Sequence, residues 1–328
     1  MHSRRRCGRG EGKKRQMEIT RRGFLGGAAG FAALGGCVSC GCGGRAVYNG
    51  IPIGVITYSY RSMPVGAGKT LGYVLGSGLG TIELMSNDVE IDAGAPLNKL
   101  PWKATKEERA ALAAWRLKVD VKRYEDVRAK YEEAGVLVHI VKFGDIGAAA
   151  LSDAEMDYRF KVARAMGAAA ITREIPNPKG IPAWWESEGK HLAKFADKWD
   201  VKIAFHNHLQ IDDKTYDGPL LGYSDKFMIN YDIGHFTAAN DTDPLDMVRK
   251  YHDRIESIHI KDRTTKAHGQ KNLPFGTGDT PLVGLFALMS REGWRFPCDI
   301  ELEYAIPKDS DAVREVGNSR EYCRRSIG

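Results

Sequence analysis

Short apolar runs alternate with longer amphipathic segments along most of the chain. Eight runs of eight or nine residues are apolar until their last few positions, and they lie at 51–59, 79–86, 135–143, 168–175, 201–208, 226–234, 255–262 and 296–304. Strands that are buried on both faces have this pattern, because neither face meets water. Each run therefore predicts one strand of a parallel sheet.

The segments between these runs have helical spacing and cap residues. Segment 152–167 begins with Ser152 and ends on Gly167, as a capped helix does. The same reasoning predicts helices over 184–200, 243–254, 282–293 and 309–325, and more than one helix over 105–135. Eight repeats of strand and helix predict a (β/α)8 TIM barrel, a single α/β domain over 46–328. An open doubly wound sheet is the alternative, but no GxGxxG motif follows the first strand.

Residues 1–44 have the composition of an export leader and are set apart from the fold. The stretch RRGFL (21–25) precedes a short run rich in Gly and Ala, and the pattern resembles a twin-arginine translocation signal. The box LGGC (34–37) resembles a lipoprotein cleavage site that would leave Cys37 lipidated, but two neighbouring cysteines crowd it. We therefore expect export by the twin-arginine route to the periplasm, with a membrane tether through Cys37 as an open alternative.

The leader also holds the positive charge of the chain. It contains nine of the 48 Lys and Arg residues but only two of the 42 Asp and Glu residues, so the remainder has a net charge of −1. A nearly neutral fold lacks the basic surface that phosphate backbones require, and we expect no nucleic-acid partner. Four of the six cysteines precede residue 44, so Cys298 and Cys323 do not provide a disulfide framework.

Residues that can bind a metal or transfer a proton lie at the ends of five consecutive predicted strands. They are Glu174 on the fourth strand, His206 and His208 on the fifth, Asp232 followed by His235 on the sixth, His259 and Lys261 on the seventh, and Glu301 and Glu303 on the eighth. Side chains two apart on a strand share a face, and barrel enzymes keep their active sites at the C-terminal ends of the strands. The sequence therefore predicts one site at this mouth.

Histidine and carboxylate ligands without thiolates suit a divalent ion, and Mn²⁺, Zn²⁺, Mg²⁺ and Co²⁺ all stay open as its identity. Such an ion can hold neighbouring oxygens of a polyol and polarise a carbonyl. Carboxylates beside it can then move protons.

Five motifs carry a family resemblance. The stretches FHNH, DIGHF, HIKDR, PFGTGD and IELEY, in this order, resemble the sugar phosphate isomerase/epimerase group of the xylose isomerase-like barrels, over nearly all of 50–306. The resemblance implies one metal held from strands five to eight, with Asp232, His259 and Glu301 as ligands and Glu303 as the rival of Glu301. It also matches His235 to a histidine that contacts substrate, and we expect Lys261, Arg263 and Glu303 to bind substrate beside it.

The first ligand position departs from the family pattern, because His206 stands where a Glu is usual. Either His206 binds the metal and Glu174 or His208 is the base, or His206 itself is the base. The resemblance implies an isomerase or epimerase that removes a proton beside a carbonyl of a keto-sugar or polyol. Elimination from a 3-keto sugar, a lyase reaction, uses the same first step and is the variant we favour, with Glu174, His208 and Glu301 as the catalytic candidates.

Two other classes of function stay open. An abasic-site endonuclease shares this barrel and a metal-rich mouth, and a non-catalytic sugar-binding lipoprotein would keep the barrel without turnover. Barrels of this type often pair, so a homo-oligomer is also open.

Two smaller features are candidates for substrate contact. Trp184 and Trp185 follow strand four and could stack on a sugar ring, although packing at a helix start is equally open. Gly276 and Gly278 in the loop after strand seven could bring bare backbone amides to substrate oxygens, and a plain turn is the alternative.

Overall fold

The computed structural model describes residues 45–97, 99 and 103–328. The twin-arginine stretch and Cys37 lie outside the described residues, so the expectations about export and lipidation stay predictions.

The predicted barrel is confirmed. Its eight strands are β1 Ile51–Ile56, β2 Thr81–Met85, β3 Leu137–Lys142, β4 Ala170–Glu174, β5 Lys202–His206, β6 Phe227–Asp232, β7 Ile255–Ile260 and β8 Cys298–Ile300. Each strand pairs in parallel with the next, and β8 pairs with β1 to close the sheet.

The helices surround this sheet. They are α1 Ala67–Gly76, α2 Ser86–Asp92, α3 Lys106–Arg116, α4 Lys122–Glu133, α5 Asp153–Ala165, α6 Ile181–Trp184, α7 Lys190–Trp199, α8 Ile233–Ala239, α9 Pro244–Tyr251, α10 Leu282–Glu292 and α11 Ala312–Ile327. A π-helical turn over Trp185–Gly189 joins α6 to α7. Among the described helices, none is long and apolar enough to cross a bilayer.

Local sequence explains where α5 begins and ends. The Ser152 side chain accepts from the backbone N–H of Glu155, whose carboxylate in turn accepts from the backbone N–H of Ser152, so two free helix donors are satisfied. At the other end Gly167 adopts a φ of +72°, a left-handed conformation that glycine tolerates without strain.

Two short antiparallel strand pairs lie beside the barrel in the described structure. Val47–Tyr48 pairs with β1 before the barrel begins. Asp262–Arg263, directly after β7, pairs with Asn272–Leu273 and so starts a structured loop at the mouth.

Strand register places the candidate site residues at one level. Asp232 on β6 pairs with His259 on β7, and Glu174 on β4 pairs with His206 on β5. Just beyond β8, the backbone N–H of Glu301 donates to the carbonyl of Ile260 at 3.0 Å. The C-terminal ends of β4 to β8 therefore meet at the mouth, as the sequence predicts.

Candidate metal centre

Four side chains converge at the mouth from four consecutive strand ends. One ligand atom from each of His206, Asp232, His259 and Glu301 lies within 4.8 Å of the others, and all four residues are buried. Alternation along the strands explains the convergence, because residues two apart face the same side. The set contains the three ligands that the family resemblance implies, Asp232, His259 and Glu301, together with His206, for which the sequence leaves ligand and base as alternatives.

His206 is oriented by a neighbour on β6. Its Nδ1 lies 2.6 Å from Oδ1 of Asn230, both side chains being fully buried. Burial, with help from the positive charges of Lys142 and His259, holds the pKa of His206 well below its usual value. The ring is therefore neutral, which is the form that binds a metal.

His259 lies between two carboxylates. Its Nε2 is 2.8 Å from Oε2 of Glu83, and its Nδ1 is 3.2 Å from Oε2 of Glu301. Burial alone would lower the pKa of His259, but the two carboxylates raise it to about 10. The positive charges of His259 and Lys261 in turn outweigh burial and hold the pKa of Glu301 well below its usual range.

Lys261 is a buried ammonium at the centre of this charge cluster. Its Nζ lies 2.8 Å from Asp232, 2.7 Å from Glu301 and 2.7 Å from Glu303. Glu301 and Glu303 thus face the same side, as their spacing predicts. Because Glu301 belongs to the four-residue cluster and Glu303 does not, the geometry favours Glu301 as the ligand.

His235 and Arg263 lie next to Lys261. His235 Nε2 is 3.0 Å from Lys261 Nζ, and its Nδ1 contacts the guanidinium of Arg263. Burial and the charge of Lys261 lower the pKa of His235 to about 2. These three polar groups meet in one place, so they can hold several oxygens of one small molecule.

Glu174 and His208 form an open rim next to the buried cluster. Oε2 of Glu174 is 3.5 Å from Nδ1 of His208, and Oε1 of Glu174 is 3.1 Å from Nζ of Lys142. The rings of His206 and His208 are 4.9 Å apart between centroids. Because β5 ends at His206, His208 lies just past the strand, where its side chain is exposed to solvent.

The structure assigns packing roles to the two smaller candidate features. Trp184 packs edge-on against Phe205, and Trp185 stacks on Tyr223 at 4.3 Å, so the tryptophan pair serves helix packing. The expected amide donors of the glycine loop are already bonded. The N–H groups of Gly276, Thr277 and Gly278 all donate to one oxygen of Asp262.

Three polar residues at the site are not predicted from the sequence. Glu83 on β2 and Asn230 on β6 are buried, Lys142 at the end of β3 is partly buried, and each contacts a predicted residue. A signal was available for Glu83 and Asn230, because each is a polar residue inside a mostly apolar strand, and Asn230 is two residues from Asp232. Glu83 comes from the opposite side of the barrel, and spacing alone does not reveal that contact.

The donor set fits a divalent cation. Two imidazoles and two carboxylates supply four nitrogen and oxygen donors, and together with a dication the two carboxylates make a neutral group. A buried cluster of charges at this spacing requires either an ion or a compensating side chain. In the described structure Lys261 supplies that compensation.

Residues 104–324 match the Xylose isomerase-like TIM barrel family, and the chain belongs to that family. The fold and this match thus define the class of the protein, a xylose isomerase-like TIM barrel.

Similarity to individual proteins is narrower. The chain is 28% identical to an inosose dehydratase of Clostridium tetani (strain Massachusetts / E88) over 150 residues, which are 37% of this chain and 50% of that enzyme. The chain therefore matches half the length of this relative.

Two solved structures share the fold. The probable 3-DHS dehydratase AsbF from Bacillus anthracis has a TM-score of 0.60 at 12% identity, over 83% of this chain and 98% of that one. The IOLI protein with a binding zinc atom also has a TM-score of 0.60 at 12% identity, over 84% of this chain and 98% of that one. At these identities the likeness concerns the fold.

Proposed function

We propose that this protein is a divalent-metal-dependent lyase that acts on a keto-sugar or keto-polyol and removes a proton beside the carbonyl. Isomerisation or epimerisation through the same first step is the alternative. The observation that carries the proposal is the convergence of His206, Asp232, His259 and Glu301 within 4.8 Å at the mouth, beside the open pair of Glu174 and His208.

The four clustered residues would hold the cation. When bound, the cation supplies Lewis acidity that polarises a carbonyl and stabilises negative charge beside it. Glu174, or His208 next to it, removes the proton, since both are accessible and lie within 3.5 Å of each other. His235, Lys261 and Arg263 bind and orient the hydroxyl groups of the substrate, whose oxygens would replace some of the contacts that these three side chains make with one another.

Elimination is favoured over epimerisation by the residue at 206. Epimerisation that passes a proton between the two faces of a substrate uses two opposed carboxylates, and here a neutral imidazole takes one of those places. Nδ1 of His206 is bonded to Asn230, which leaves Glu174 as the accessible carboxylate next to it. One base suffices for elimination, because the proton that Glu174 or His208 removes from carbon can be returned to the leaving hydroxyl, which departs as water. The relative from Clostridium tetani is an inosose dehydratase, which supports the same choice.

The test begins with metal analysis of the purified protein. The metal-free protein is then loaded with Zn²⁺, Co²⁺, Mn²⁺ or Mg²⁺ and incubated in D₂O with inososes and 3-keto-glycosides. We expect metal-dependent deuterium uptake beside the carbonyl and the appearance of a dehydrated product. Deuterium uptake without dehydration would favour the epimerase alternative. Neither uptake nor product with any metal would contradict the proposal and leave the sugar-binding alternative.

We also propose, from the leader sequence alone, that the protein is exported. Replacing both arginines of RRGFL (21–25) by lysine should retain the protein in the cytoplasm, and Cys37→Ser should prevent lipidation and move the protein from the membrane fraction to the soluble fraction. Unchanged fractionation of both variants would contradict export and the tether.

A further inference from the structure

A layer of polar side chains lies directly beneath the candidate metal centre. Asn230 on β6 and Glu83 on β2 are both fully buried, and they contact each other because Nδ2 of Asn230 is 3.1 Å from Oε2 of Glu83. Ser257 on β7 completes the layer, since its Oγ is 2.6 Å from the same Nδ2. Each histidine of the centre contacts one member of this layer.

The orientation of the Asn230 amide follows from its partners. A carboxylate only accepts hydrogen bonds, so the amide must present its NH₂ group to Glu83. Oδ1 of Asn230 then faces Nδ1 of His206 at 2.6 Å, and a carbonyl oxygen also only accepts. The neutral His206 ring must therefore carry its proton on Nδ1, which leaves the lone pair of Nε2 for a cation.

The same reasoning fixes the nitrogen of His259. Its Nε2 is 2.8 Å from Oε2 of Glu83, so Nε2–H donates downward to the carboxylate. The other nitrogen, Nδ1, faces Glu301 at 3.2 Å, among the clustered ligand atoms. A histidine that donates one N–H to a carboxylate is held in orientation and becomes a better electron donor at the other nitrogen.

We infer that Asn230 and Glu83 act as one buried positioning unit, which presents His206 through Nε2 and His259 through Nδ1 to the cation of the mouth. The inference rests on the proposed metal site. It goes beyond that site because it assigns roles to two residues that are not ligands, and because it names the nitrogen that each histidine uses. A buried Asn at 230 suits a histidine at 206, because its side-chain oxygen accepts a hydrogen bond from Nδ1–H of His206 and adds no charge.

The test compares Asn230→Leu and Glu83→Gln with Ser257→Ala as the matched control. Ser257 belongs to the same layer and bonds Asn230, but it has no hydrogen bond to either histidine in the described structure. Long-range ¹H–¹⁵N spectra of the imidazoles report which ring nitrogen carries the proton. His206 is followed in the metal-free protein and His259 in the Zn²⁺-loaded protein, and competition with a chelator gives the Zn²⁺ affinity.

We expect the unaltered protein to show Nδ1–H for His206, and Nε2–H with Zn²⁺ on Nδ1 for His259. Asn230→Leu should make the His206 tautomer mixed and weaken Zn²⁺ binding by about 10–100-fold. Glu83→Gln keeps an acceptor for His259, so the ligating nitrogen should stay the same while affinity falls by up to about tenfold. Ser257→Ala should change neither the tautomers nor the affinity by more than about twofold.

Two results would overturn the inference. One is a His206 ring protonated on Nε2 in the metal-free protein, and the other is Asn230→Leu with unchanged tautomers and an affinity within about twofold. If Asn230→Leu does not fold, Asn230→Asp decides, because it keeps an acceptor and must preserve Nδ1–H of His206. Failure of the metal site itself would look different, since no Zn²⁺ would bind although the metal-free His206 tautomer is the expected one.

Discussion

The two sides of the barrel mouth differ in how far their charged side chains are exposed and how closely these side chains are paired. On the β6–β8 side the side chains of Lys261 and Glu301 are 2% and 7% exposed, and each lies within 3.2 Å of opposite charge. On the β3–β5 side Glu174 and His208 are 40% and 52% exposed and lie 3.5 Å apart. The buried β6–β8 side is therefore suited to binding a cation, and the exposed β3–β5 side is suited to proton transfer.

Burial explains this division. A charged group away from water is stable only when it is paired or bound to an ion, so the β6–β8 side has little freedom to move. Solvent-exposed groups readily exchange protons with water, and they can approach a substrate. Substitutions on the two sides should therefore separate metal binding from proton transfer.

The largest effect is expected on the buried side. Asp232→Asn removes one anionic ligand but keeps an oxygen that can accept from the backbone N–H of His235, now 2.7 Å from Oδ1, so the fold should persist. We expect Zn²⁺ affinity to fall by at least about 100-fold, together with loss of activity, and the same from His259→Ala. Metal analysis and competition with a chelator measure the change in Zn²⁺ affinity of both variants.

Asp243→Asn is the matched control, because Asp243 caps α9 as Asp232 caps α8 but lies away from the mouth. Full metal stoichiometry in both Asp232→Asn and His259→Ala would show that the cluster is not the metal site.

The second effect is expected on the open side. Glu174→Gln should lower kcat by about 10²–10⁴-fold while metal content stays complete, because the base is lost and the ligands are not. His208→Asn distinguishes the two candidate bases, since the true base causes the larger loss. Steady-state kinetics on metal-loaded protein give the result.

The control for Glu174→Gln is Glu256→Gln. Glu256 pairs with Lys202 at 2.7 Å near the N-terminal ends of β5 and β7, as Glu174 pairs with Lys142 near the mouth. If Glu174→Gln also loses the metal, the separation between the two sides is wrong.

A third, smaller effect concerns the choice of metal. Imidazole suits Zn²⁺ and Co²⁺, whereas carboxylate suits Mn²⁺ and Mg²⁺, so His206→Glu should shift the ratio of Zn²⁺ to Mn²⁺ affinity toward Mn²⁺ by about tenfold. His208→Glu adds the same group two residues away and should leave the ratio unchanged. Equal ratios in all three proteins would mean that His206 is not a ligand.

The smallest effect on activity is expected at Asp88, a buried carboxylate outside this cluster. Its oxygens accept from Gly66 N–H, Thr70 and Asn87, and burial raises its pKa to about 6. Because the folded state binds this proton more tightly than the unfolded state, the contribution of Asp88 to the free energy of unfolding should fall as pH rises from about 4 to 6, by about 1–3 kcal/mol.

Urea unfolding of the unaltered protein and of Asp88→Asn at several pH values measures this contribution as the difference between the two slopes, and kcat should not change. Asp92→Asn, four residues along α2, is the comparison variant and should keep most of the slope, because burial raises the pKa of Asp88 more than the charge of Asp92 does. A slope that survives Asp88→Asn would assign the pH dependence to other groups.

The sequence predicts the strands well because they follow from simple periodicity, and it predicts that the four clustered residues lie at one mouth because each of them lies at the end of a predicted strand. Asp232 and His259 are placed correctly since parallel strand ends must meet at one edge of the barrel. The first third of the fold was harder to predict, and α1 and α2 were not predicted. Glycines at 66, 68, 72 and 76 obscure the helical pattern there.

Contacts across the barrel and within loops also escaped prediction. Glu83 reaches His259 from the opposite wall, a contact between residues 176 positions apart. Asp262 takes the amides of the glycine loop because the loop folds back onto it. Such pairings depend on the closed shape of the chain and leave no spacing that a sequence would display.

The seam between β8 and β1 joins the two ends of the fold. The hydroxyl of Ser59 donates to the carbonyl of Ile300 at 3.0 Å and accepts from the backbone N–H of Leu302, also at 3.0 Å. Glu301 lies between these two bonds, so its position depends on the closure of the barrel between β1 and β8. A cation bound by Glu301 would stabilise that closure as well as the site. Because β8 is the last of the eight strands to be synthesised, the metal centre would be completed only after the other seven strands have been made.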